Sequence, residues 1–234
     1  MKMNLSRVRS VSCVFLVMGL FPNAYAQEKK EEEKKPANEI FGLIAEKRKK
    51  ADMVAAVNNM KQLGILLLEF DNDYGAYPSD GAANRDLELK SYQGKFSNDY
   101  LGQLLAAGYI DSEEIFYAKG GSKTKKNPDN VYKTKATTLE AGECGFSYVK
   151  GLSSFDRAAT PLLLAPMTGE GFKFDPKPYN GKAIVLNVDG SVVRYDIDAN
   201  GDVILPNGKN LFEGGKDSVW GKHDLDAKGL LFPK

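Results

Sequence analysis

Apolar positions in the first third of the chain fall at three- and four-residue intervals. Met53, Val57, Met60, Gly64 and Leu67 follow the spacing that lines one face of an α-helix, predicting a long helix over about 38–70. Glu46, Lys47, Lys49, Lys50 and Lys61 occupy the other faces, so its first half is expected in solvent. The run Ile65–Leu68 adds apolar surface around nearly the whole circumference, predicting that the helix end is buried on most sides. DNDYGAYPSD follows and stops the helix: Asp and Asn compete for backbone hydrogen bonds, Gly75 can turn left-handed, and Pro78 cannot continue.

The pattern then shortens. NDYLGQLLAAGY, 98–109, reads as a second helix closed by Gly108, and a new cap at Asp111 or Ser112 extends the helical insert over about 97–118. GGSKTKKNPDN is an exposed loop. From Phe146 the period becomes that of strands: Phe146–Val149, the proline-bounded Thr160–Met167, and KAIVLNVDGSVVRYDIDANGDVILP. Asp189-Gly190 and Asn200-Gly201 divide that last segment into three β-rich runs, both dipeptides being hairpin turn signals. The prediction is a single α+β domain over 38–234, with a long N-terminal helix, a sheet over about 144–206 and a loop-rich tail over 207–234.

The N-terminus has a different character. Lys2, Arg7 and Arg9 precede the apolar run 11–21, and Ala24 and Ala26 supply a small-x-small pattern. Residues 1–26 are therefore expected to be a signal peptide cleaved after Ala26, followed by a charged linker over 27–37. The expected protein is periplasmic or secreted, with no stable membrane anchor after cleavage. Loss of that segment removes three positive charges and leaves 29 Lys plus Arg against 31 Asp plus Glu, a formal charge of −2. Such a balance offers no footprint for nucleic acid. Cys144 becomes the lone cysteine, in a strand-like setting that suits a buried, inert thiol. His223 is the only histidine, so multi-histidine zinc sites are excluded and a histidine-based triad would have to use this residue. No catalytic motif stands out, no catalytic residue is assigned, and an enzyme is not expected.

One stretch does suggest chemistry. In DIDANGD, Asp196, Asp198, Asn200 and Asp202 surround Gly201 in the manner of the first half of a calcium loop. Position twelve is Asn207, however, where such loops place a bidentate Glu. A tight Asn-Gly turn accounts for the same residues without a metal, and that reading is favoured; no cofactor is expected, calcium being the one candidate. Asp71 and Asp73 pose the same question, and helix termination accounts for them. Tyr74, Tyr77, Trp220 and Phe232 are candidates for an aromatic binding face, with core packing the alternative.

NNMKQLGILLLEFDNDYGAYP, 58–78, resembles the end of the long helix in bacterial type II secretion pseudopilins, above all those of the Planctomycetes–Verrucomicrobia group. Asn58, Asn59, Lys61, Gln62, Leu63, Gly64, Tyr74, Gly75 and Pro78 carry the likeness. KAIVLNVDGSV resembles the late hairpin of that family through Asp189 and Gly190, and DYLGQLLAAGYIDSEEIFYA and GFSYVKGLSS look like intervening segments. Together they cover roughly 54–203. The resemblance implies a long helix packed on an antiparallel sheet. It also implies a role in, or related to, the periplasmic pseudopilus, with other envelope or secretion-system proteins as partners. Major pseudopilins carry calcium in a late loop. The chain departs from the pattern where pseudopilins have a hydrophobic stem of about twenty apolar residues. ANEIFGLIAEKRKKADMVAAV places five charges at 46–50, so a pilin-like head delivered as a soluble protein is expected. A glycan- or peptide-binding module built on the same fold is the alternative.

Overall fold

The computed structural model describes residues 37–121, 123–221, 225 and 229–234. The expected signal peptide, most of the linker and His223 lie outside the described residues.

Helix α1 (Ala37–Tyr74) is 38 residues long, about 57 Å at 1.5 Å per residue. Its buried stripe is Met53, Ala56, Met60, Leu63, Leu67 and Phe70, a strict three-four alternation. Val57 is only half-buried and packs at the margin of the stripe. The expected all-round burial of Ile65–Leu68 does not occur: Leu67 is fully buried, Leu66 and Leu68 are half-buried, and Ile65 is 61% exposed. One face of the helix meets the sheet and the other meets solvent, whatever the composition of the turn. The charged stretch 46–50 is exposed, apart from the half-buried Lys49, as expected.

α1 continues four residues past the expected end. Asp71 and Asp73 do not compete for local backbone, because distant hydroxyls occupy them: Ser154 Oγ donates to Asp71 Oδ2 at 2.5 Å and Tyr109 OH donates to Asp73 Oδ2. Gly75 terminates the helix, with φ +71° and its N–H bonded to Asp71 O at 2.7 Å. A short helix absent from the sequence reading follows, α2 (Asp80–Arg85), capped by Ser79 Oγ accepting from Ala82 N at 3.1 Å. α3 (Ser97–Ala106) has its first turn held by Asp99, which accepts from Lys95 N and Phe96 N at 3.0 Å. A 3-10 turn, Glu114–Phe116, completes the insert.

Five strands form one antiparallel sheet: β1 (Ser147–Val149), β2 (Pro161–Ala165), β3 (Lys182–Asn187), β4 (Val192–Asp196) and β5 (Leu230–Leu231), in the order β4-β3-β2-β1-β5. The β3–β4 hairpin turns at Asp189-Gly190, where Gly190 has φ +79° and Asp189 Oδ1 accepts from Ser191 N. The run after Asn200-Gly201 does not join the sheet. Val203 and Leu205 are buried, and the segment folds on itself through a lone bridge from Ile204 to Asn210. The fifth strand comes instead from the tail: Leu231 pairs with Tyr148 at the β1 edge.

β2 is buried on both faces. α1 packs against β3 and β4, and the tail residues Leu211 and Trp220 belong to the same buried core. A long N-terminal helix packed on a five-stranded antiparallel sheet, pilin-like in shape, is the result.

Candidate functional site

The acidic residues of the DIDANGD turn each have partners of their own. Asp196 ends β4, and its largely exposed carboxylate pairs with Lys182. Asp198 Oδ1 accepts from Asn200 N and Asp202 N, both at 2.8 Å, an Asx-type turn. Asp202 uses one oxygen for Lys173 Nζ at 2.6 Å and the other for Asn210 Nδ2 at 2.8 Å. Lys173 holds the Asp202 carboxyl below the usual carboxylate range. Asn200 is exposed. These oxygens serve the turn and two neighbouring segments.

The aromatic candidates do not form a face. Tyr77 and Trp220 are buried, with Tyr77 OH donating to Val188 O at 3.0 Å and Trp220 Nε1 to Leu211 O at 2.7 Å. Tyr74 is half-buried and donates to Asp86 at 2.6 Å. Phe232 alone borders an opening, a groove of about 470 Å³ lined also by Phe96, Lys95, Lys123 and Lys150. Cys144 is fully buried, and burial pushes its thiol up to about 11, consistent with an inert packing residue.

A second constellation escaped the sequence reading. Glu113, just before the 3-10 turn, Asp129, in the following loop, and Glu143, ahead of β1, bring one carboxylate oxygen each within 4.8 Å of the others. Glu113 and Glu143 are fully buried. Glu113 Oε1 accepts from Leu139 N at 2.7 Å, and Glu143 Oε2 from Glu140 N at 2.6 Å. Among the described residues Glu113 Oε2 has no hydrogen-bond partner, and Glu143 Oε1 has none in hydrogen-bond alignment. Lys126 Nζ stands at the rim, 2.9 Å from Asp129, 2.7 Å from Glu140 and 2.9 Å from Glu143 Oε1. That last contact is a charge pairing without hydrogen-bond alignment. Burial is the main cause that raises the Glu113 carboxyl above its ordinary pKa, with the Glu143 and Asp129 charges adding to it and the Leu139 N–H opposing. Successive members lie 16 and 14 positions apart, so no short motif could have revealed them.

A third feature is the start of α1. Ile40, Phe41, Leu43 and Ile44 are exposed, Phe41 at 69%, on a helix whose later turns are packed against the rest of the domain. Among the described residues no helix is long and apolar enough to cross a membrane.

Fold and surface together define an α+β domain of pilin-like shape. Compared with protein-family models, curated proteins and solved structures, the chain shows no match.

Proposed function

We propose that the protein is a pseudopilin-like head of the cell envelope, a structural or interaction component rather than an enzyme, exported with cleavage after Ala26 and associated with type II secretion or a related assembly. One observation carries this reading. The two sequence segments that resemble pseudopilins, far apart in the chain, meet in space: a Cβ on Gly64 would lie 3.1 Å from Leu186 Cδ1 and 3.9 Å from Gly190 Cα. Glycine at position 64 lets the helix approach the hairpin that closely. Other residues of the likeness also act as fasteners. Asn59 Nδ2 donates to Tyr117 O at 3.0 Å and Glu114 O at 3.2 Å, and Pro78 O accepts from Tyr148 OH at 2.8 Å. The exposed apolar start of α1 is the surface on which such a head would engage its partners.

The test is site-specific photocrosslinking in the producing cell. A crosslinker at Phe41 is expected to capture an envelope or secretion-system protein, and the adduct should carry Gln27 at its N-terminus. A crosslinker at Phe155, 92% exposed on another part of the domain, serves as the control. Equal capture from both positions, or an intact Met1, contradicts the reading. The groove beside Phe96 and Phe232 favours the second reading, a glycan- or peptide-binding module. In that case ligand binding would be lost on Phe232→Ala while the Phe41 adduct is absent.

A further inference from the structure

Two carboxylates buried without a full set of partners are costly, since a charge removed from water must be met by another charge or by hydrogen bonds. Glu113 and Glu143 each have one oxygen fixed by a backbone N–H; among the described residues the second oxygen of Glu113 has no hydrogen-bond partner, and that of Glu143 meets the Lys126 ammonium at 2.9 Å. With Asp129 they form a set of three oxygen ligands within 4.8 Å of one another. Lys126 is the cation at this place, and it is shared with Glu140. Four carboxylates against one ammonium leave the cluster with excess negative charge, two of the four being buried.

We propose that Glu113, Asp129 and Glu143 form a binding site for a divalent cation of the calcium type. Hard carboxylate oxygens with no nitrogen or sulfur donor suit calcium or magnesium rather than zinc or copper. Calcium binds oxygen at roughly 2.3–2.6 Å, so ligands on opposite sides of the ion stand ~4.6–5.2 Å apart; the three oxygens of this cluster fit inside that span. The two backbone N–H groups orient the buried carboxylates, leaving Glu113 Oε2 to the ion and, once Lys126 withdraws, Glu143 Oε1 as well. Lys126 is partly exposed on a flexible stem, and it retains Glu140 as a partner when an ion takes its place. The site joins the 3-10 turn, the loop after it and the approach to β1, so an ion there would brace the segment between the helices and the sheet. This inference is independent of the proposed envelope role.

The experiment is calorimetric titration of the purified protein with calcium, paired with thermal melts in calcium and in chelator. One saturable calcium per chain is expected, with a Tm that rises by several degrees through linkage. Glu143→Gln should abolish both signals. Asp129→Asn, at an exposed position, should weaken binding by roughly tenfold, since fewer charged ligands lower calcium affinity. Lys126→Gln, which removes the competing ammonium, should tighten binding; a purely structural ion-pair cluster would only lose stability. Asp198→Ala should leave binding unchanged. Absence of calcium binding in both the parent and Lys126→Gln overturns the proposal. So does binding that survives Asp129→Asn undiminished, or binding that disappears in Asp198→Ala, which would move the ion to the late turn.

Discussion

At the scale of residues, neighbouring side chains of one helical turn have opposite fates. Leu67 has no exposed surface and Ile65 has 61% of its own, although both are large aliphatics two positions apart. Leu67→Ala should therefore cost about 2–5 kcal/mol, the range for truncating a buried leucine and leaving a cavity. Ile65→Ala should change stability by no more than about 0.5 kcal/mol, as at surface positions. Chemical denaturation of the two variants measures the contrast; similar losses would mean that the ILLL turn is enclosed after all. Composition alone could not make the distinction, because four consecutive apolar residues on a helix spread over about 300° of its circumference, and a single sheet can cover only one side.

The elements show where local signals suffice and where they do not. Gly75 and Asp189-Gly190 do what turn chemistry requires of them, and both were legible. The extension of α1 through Asp71–Tyr74 was not, since it depends on hydroxyls from Ser154, 83 residues on, and Tyr109, 36 residues on. Asn200-Gly201 gave a turn but no strand after it, because Val203 and Leu205 are drawn into the core instead of along the sheet edge. Junctions between elements carry their own constraint. A Cβ on Gly145 would lie 2.4 Å from Ala118 Cβ and 2.8 Å from Ala118 N, where the chain entering β1 meets the end of the helical insert. Gly145→Ala must push backbone apart and is expected to cost about 1–3 kcal/mol, read as a lower denaturation midpoint with an unchanged slope. No loss would show that the two segments separate freely.

For the whole molecule, the tail is structural. It supplies β5, and Trp220 is buried with its indole N–H on Leu211 O. Phe212 stacks on that ring at 6.3 Å and on Phe172 at 5.2 Å, so the segment lies folded against the domain instead of hanging from it. Trp220→Ala is expected to cost about 3–5 kcal/mol, visible as a fall in Tm of the full chain. A loss near zero would return the tail to the status of a loop. The acidic cluster belongs to this scale too: it joins residues from three separate segments ahead of β1.

The sequence by itself determined the α+β class, the long amphipathic helix with its exposed charged half, the β3–β4 hairpin and the burial of Cys144. Each of these follows from short-range periodicity or turn chemistry, which act over a few residues and leave their mark in the order of the chain. Tertiary structure decided the identity of the fifth strand, the true end of α1, the solvent side of Ile65 and the meeting of Glu113, Asp129 and Glu143. Those features depend on contacts between residues 14 to more than 80 positions apart. Packing selects such contacts from many chemically equivalent pairs, and no local pattern encodes which pair is chosen.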